Sequence, residues 1–216
     1  MSQATTARPI LPRAFYERDT VTVARELLGQ IVVHEPARGE TTAGRIVEVE
    51  AYVTQYLGER DRAAHSDRGL TPRTRIIFGP GGHAYVYFVY GMHECLNVVA
   101  EPAGIPGCVL IRALQPVAGI EAMQRRRPGE KRLDRLCSGP GNLTRAMEIT
   151  RRHYGADLTS GRLTIRAGPP AIETVTAAGR IGIRHGGEWP LRFYLTENVA
   201  VTRPLKFRRY EADLSP

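Results

Sequence analysis

Residues 45–52, RIVEVEAY, hold two glutamates two positions apart and then a tyrosine. Side chains along a strand alternate between faces. Ile46, Glu48, Glu50 and Tyr52 therefore share one side, and Arg45, Val47, Val49 and Ala51 the other. The strand rise puts the two carboxylates about 6.5–7 Å apart. An arbitrary Val-Glu-Val-Glu strand carries its acids on a solvated edge. Here the second acid stands beside an aromatic, at the start of a long stretch (53–82) without clear periodicity. Such stretches in compact domains are functional or disordered. The chemistry these residues suit is attack by water assisted by a carboxylate. The chain has no Gly-x-Ser-x-Gly elbow and no cysteine in an activating motif. Gly79-Pro80-Gly81-Gly82 lacks the following Lys-Ser/Thr of a phosphate loop. His65, His83, His93 and His185 are scattered without ligand spacing, so no metal site is expected.

A second group of residues points to nucleic acid. In YVYFVYG (85–91), Tyr85, Tyr87 and Val89 fall on one face and Val86, Phe88 and Tyr90 on the other. A hairpin over 83–100, turning at Gly91-Met92, would carry Tyr90 at its tip, where an aromatic suits stacking or wedging between bases. SGPGN (138–142) precedes a helix and offers free amide donors to an anion, though helix initiation alone explains its glycines and proline equally well. The formal charge is +8, and all 30 basic residues except Lys131 and Lys206 are arginine. A high-GC coding bias would explain that excess equally well. Arginine's planar fork nevertheless matches phosphate oxygens, and a basic domain of this size is a fair nucleic-acid candidate.

The elements that must position these residues are legible from pattern. A chain of 216 residues, 42% hydrophobic, supports one domain with a substantial core. Residues 1–12 read as a flexible arm and 13–216 as a single domain. Asp19 caps a helix over 20–28 that Gly29 stops. Strands follow at 30–34 and 43–52 as a hairpin, then the 83–100 hairpin and a buried strand at 108–114. Pro116 is expected to open a helix to 127. A further helix follows 138–142, with Leu143, Ala146, Met147 and Thr150 on one face. The last strands are expected near 163–167, 179–184 and 191–195. The fold class is α+β: a curved, mostly antiparallel, open-barrel-like sheet with flanking helices and a protruding hairpin. Cys95, Cys108 and Cys137 are odd in number and lack metal spacing, so reduced thiols and a cytoplasmic location are expected. No signal peptide and no apolar run of about 18 residues is present, so no membrane is expected as a partner.

Taken in order, VARELLGQ (23–30), GRIVEVEAY (44–52), AAHS (63–66), TPR (71–73), YVYFVYGMHECLN (85–97), VLIRALQP (109–116), LCSGPGNL (136–143) and IGIRHGGEWPLRFY (181–194) resemble the 3-methyladenine (alkyladenine) DNA glycosylase family that lacks a helix-hairpin-helix motif. They run through nearly the whole chain. The resemblance implies a monofunctional base-excision enzyme acting on duplex DNA with damaged purines, as a monomer and without a cofactor. It makes Glu50 the carboxylate that orients and deprotonates the attacking water, with Arg112 helping to hold that water. Tyr52, His65 and Tyr87 become the walls of the flipped base and Asn97 a gate for base selection. Tyr90 becomes the residue that fills the vacated stack, and Thr71, Arg73, Met92, Gly141 and Asn142 become DNA contacts. Glu48 is left to a structural role.

Two departures from the family pattern stand out. The run from Tyr52 to His65 is longer, and Glu94 is acidic close to a DNA-facing hairpin. Three other activities fit parts of the sequence. A noncatalytic nucleic-acid binder would use only the arginines and the hairpin. A carbohydrate glycosidase needs carboxyls on opposite sides of the sugar, which neighbouring positions on one strand do not supply. A glycosylase with lyase activity needs an amine nucleophile, and the chain offers Lys131, Lys206 and its terminal amine.

Overall fold

The computed structural model describes residues 7–89, 91–169 and 172–202. Apolar and β-branched runs build its sheet from β1 (Ile31–His34), β2 (Thr42–Tyr52), β5 (Ala84–Val89), β6 (His93–Ala100), β7 (Gly107–Ala118), β8 (Leu163–Arg166), β9 (Val175–Ala178) and β10 (Arg192–Leu195). The strands run in the order β5-β6-β7-β2-β1-β8, every pairing antiparallel, and the sheet does not close into a barrel. The eleven-residue β2 is long enough to serve two partners on one side: its first half pairs with β1 and Glu48–Glu50 with β10, which also carries β9. Both glutamates thus sit in a central strand, with ladder partners on either side.

The strand alternation is interrupted where it matters. Ile46 pairs with Leu114 and Glu48 with Ala113, yet Val49 pairs with Ile111. Val47 is therefore an extra residue on β2 and Arg112 an extra residue on β7, a pair of bulges that re-aims side chains. Ile46 and Val47 both enter the core with Val49 and Ala51, while Arg112 is turned toward the two glutamates.

The helices flank this sheet. They are α1 (Arg13–Tyr16), α2 (Thr20–Leu27), α3 (Ile120–Arg126), α4 (Leu133–Leu136) and α5 (Pro140–Met147). As expected, Asp19 caps α2 by accepting from the Thr22 N–H at 2.8 Å, and Gly29 takes the left-handed conformation after it. Val23, Ala24 and Leu27 of α2 and Leu143, Ala146 and Met147 of α5 face one core. None of the described helices is long and apolar enough to cross a membrane.

Three expectations are corrected. Pro116 does not open a helix: it continues β7 at a register shift opposite Gly44, where its missing N–H is tolerated, and α3 starts only after Gly119 turns left-handed at φ 69°. Residues 179–184 form no strand; the strand is β9, at 175–178. Residues 8–12 are not loose. The Leu11 N–H donates to Ile165 O at 2.9 Å, Ala167 N–H to Pro9 O at 2.8 Å, and Leu11 is buried, because β8 would otherwise leave its edge unpaired. The 53–82 stretch is ordered rather than periodic: a small hairpin, β3 (Gln55–Tyr56) and β4 (Glu59–Arg60), precedes two 3-10 turns, His65–Arg68 and Arg75–Phe78.

Candidate active site

A cavity of about 500 Å³ opens between the β5–β6 hairpin, the start of α5 and residues 181–183. Its walls include Tyr52, His65, Tyr85, Tyr87, Asn97 and Arg112. The alternation of β5 turns Tyr85, Tyr87 and Val89 into the cavity and leaves Phe88 on the far side, 39% exposed. His65, carried on its 3-10 turn, accepts or donates at Nδ1 to the Tyr85 hydroxyl at 2.8 Å and meets the Tyr87 ring edge-on at 4.6 Å. Burial, with Arg73 and Arg68 beside it, pushes His65 down to about 4, so it is a neutral ring at neutral pH. Burial likewise pushes the Tyr85 phenol up to about 12.

Glu50 lies directly behind this wall, with no exposed surface. Its Oε1 accepts from the Ile181 N–H at 2.7 Å and lies 3.1 Å from Arg112 Nη1; its Oε2 accepts from the Tyr52 hydroxyl at 2.9 Å. All three donors line the cavity, so Glu50 faces it through them. The Ile181 N–H is available because residues 179–184 are not in a ladder. Tyr52 keeps its proton, since burial and then the Glu50 charge raise it well above the usual phenol value. Burial pulls the Arg112 guanidinium down, but the flanking Glu50 and Glu48 more than offset that.

Glu48 is tied up differently. It accepts from Arg112 Nε at 3.2 Å, from Arg192 Nη1 at 2.9 Å and from the Thr202 N–H and hydroxyl, and it is fully buried. These partners hold the Arg112 guanidinium from behind and leave Glu48 outside the cavity wall.

The other sequence candidates separate into two groups. Asn97, 2% exposed, donates to Tyr85 O at 3.1 Å and lines the cavity, as do Arg73, Gly141 and Asn142. Arg73 lies 5.0 Å over the Tyr87 ring. Glycine at 141 fits because a Cβ there would stand 2.8 Å from the His93 ring. Thr71 instead bonds Thr74 in a local turn, and Met92 is 71% exposed at the hairpin turn, in a neighbouring groove. Tyr90 lies outside the described residues.

Sequence reasoning missed the groups that brace the site. Arg180 stacks 4.7 Å over the Tyr52 ring while making two bonds to Asp61, at 2.6 and 2.8 Å, both side chains fully buried. Nothing local marks either residue. Cys95 and Cys108 also line the cavity, as free thiols that burial raises, Cys108 to about 12. Chemically, the arrangement offers the buried Glu50 carboxylate, the Arg112 and Arg73 guanidiniums, and the rings of Tyr52, His65, Tyr85 and Tyr87 around one cavity.

Comparison with known proteins gives the chain a family. The family model described as Methylpurine-DNA glycosylase matches residues 14–199. A curated relative from Methanoculleus marisnigri is 51% identical over 197 residues, covering 89% of this chain and 98% of its own; its name reads "Putative 3-methyladenine DNA glycosylase". Relatives of the same name from Methanocella arvoryzae and Legionella pneumophila are 46% and 45% identical, over 90% and 89% of this chain and 96% and 98% of their own. The chain belongs to the methylpurine-DNA glycosylase family, whose members are hydrolases of N-glycosyl bonds in DNA.

Proposed function

We propose that this DNA glycosylase flips alkylated or deaminated purines out of duplex DNA, as a monomer, and hydrolyses their N-glycosidic bond with a water activated by Glu50. The observation that supports this most is the buried Glu50 carboxylate behind an aromatic cavity, with Ile181, Arg112 and Tyr52 as its donors. An ionised carboxylate has about four acceptor positions. Three are taken, and the fourth serves the water. The water oxygen bonds to the sugar C1′, its proton goes to Glu50, and the electron pair of the glycosidic bond leaves with the base. Arg112 fixes the carboxylate and the water.

Tyr52, His65 and Tyr87 stack on the extruded base, and Asn97 offers a polar atom at its edge. An N-alkylated purine such as 3-methyladenine or 7-methylguanine carries positive charge, which makes it a good leaving group and draws it to aromatic faces. The neutral His65 adds no repulsion to such a ring. Hypoxanthine and ethenoadenine suit the same cavity as neutral bases. Tyr90 fills the vacated stack, and Thr71, Arg73, Met92, Gly141 and Asn142 meet the DNA. Unstacking costs a few kcal/mol and least for damaged or mismatched bases, which adds selectivity.

A panel of duplexes carrying each lesion, followed under single-turnover conditions, tests the reading. Base release from at least the cationic lesions, lost in Glu50→Gln, is expected. Release undiminished in that variant would remove Glu50 from the chemistry.

A further inference from the structure

Three hollows share lining residues near the turn end of the β5–β6 hairpin. His93 and Gly141 line both the base cavity and a second groove of about 460 Å³, which also takes in Met92, Glu94, Arg145 and Glu148. Glu94, Glu148 and Thr150 are shared in turn with a third hollow of about 730 Å³, walled by Arg151, Arg152 and Arg162. Through these shared residues the hollows follow one another from the base cavity, beside the hairpin turn, to the start of β8 at Leu163.

The charge along this path is one-sided once the ion pairs are assigned. Glu94 is held by Arg151 at 3.3 Å, Glu148 by Arg126, and Asp157 by Arg13 at 2.6 Å. Arg145, Arg152 and Arg162 are exposed, and no ion pair satisfies them among the described residues. The acidic Glu94, unexpected beside a DNA-facing hairpin, is thereby a bracket: it holds Arg151, whose guanidinium lies 4.7 Å over the Phe88 ring.

The far wall is also rigidly built. The Thr150 N–H donates to His153 Nδ1 at 3.1 Å, His153 Nε2 meets His34 Nε2 at 3.1 Å, and His34 Nδ1 meets Met147 O at 2.8 Å. With His153 Nε2 and His34 Nδ1 as the protonated nitrogens, every bond in this relay has one donor and one acceptor. The relay pins the turn bearing Arg151 and Arg152 to β1.

We propose that this path is a track for the sugar–phosphate backbone of duplex DNA flanking the flipped nucleotide, with Arg145, Arg152 and Arg162 meeting successive phosphates. It rests on the preceding reading only in taking the cavity as the place of the base. Undamaged duplex binding, which needs no excision, tests it separately. Each phosphate neutralised contributes about 0.9 to the slope of log affinity against log salt. Arg152→Ala/Arg162→Ala should lower that slope by about two. Arg25→Ala/Lys131→Ala removes as much charge outside all three hollows and should leave the slope nearly unchanged. Equal losses in both double variants would reduce the effect to net charge and overturn the track. So would an unchanged slope in the first variant while inorganic phosphate still shifts the His153 ring resonances, which would make the third hollow a small-anion site.

Discussion

The Ile181 N–H donates to Glu50 Oε1 at 2.7 Å across a separation of 131 residues. A backbone donor cannot move with a side-chain rotamer, so the carboxylate's orientation is set by the fold itself. Glu50→Gln keeps the shape but removes the proposed general base. The single-turnover rate should fall by ~10²–10⁴, the range for loss of a general base, with lesion-duplex affinity near wild type. Excision within a few-fold of wild type would shift attention to Glu48, whose oxygens are already committed to Arg112, Arg192 and Thr202.

The Asp61–Arg180 pair joins the segment between Tyr52 and His65 to the one that supplies Ile181. Arg180→Met leaves Asp61 charged, buried and without its partner, which typically costs about 3–5 kcal/mol. Adding Asp61→Asn should return a large part of that loss. Urea unfolding of the two single variants and the double variant measures the coupling; additive losses would mean that the pair does not act as a unit.

Acid should weaken the fold through His65. Its folded value, about 4, lies below the ordinary 6.5, because burial and the nearby arginines disfavour the cation. Between those limits the unfolded chain binds more protons than the folded one, so stability is full above about 6.5 and declines as pH falls toward 4. Burial lowers His34 as well, adding to the same trend. His65→Gln should show a smaller drop in unfolding free energy between pH 7 and pH 5 than wild type. An identical drop would place the titration elsewhere.

The product should be an intact abasic strand. Lys131 is exposed and does not line the cavity, and Lys206 lies outside the described residues. Borohydride added during turnover should trap no protein–DNA adduct, and strand cleavage should appear only after alkali. A trapped adduct forming at the turnover rate would show an amine nucleophile at work.

Short-range pattern carried much of the design. The two-residue period of 45–52 and 85–91 marked both strands of the site and the aromatic face of the hairpin, and Asp19 with Gly29 bounded α2. Where a second influence competed, local reading went astray. Pro116 is a helix opener by type, yet pairing with β2 holds it in β7. Ile46 shares a face with Glu48 in a regular strand, yet the bulge at Val47 sends it into the core.

By itself, then, the sequence determined the presence of an acid-bearing strand, an aromatic hairpin and an arginine-rich composition, because periodicity, capping and charge are written within a few residues. Only the tertiary structure decided how the two glutamates differ. Glu48 is enclosed by Arg112, Arg192 and Thr202, and Glu50 is turned to the cavity's own donors. Those contacts depend on paired bulges in β2 and β7 and on segments 64 to 154 residues apart. A buried charge takes whichever partners the packed chain brings within about 3 Å, and no local spacing records that.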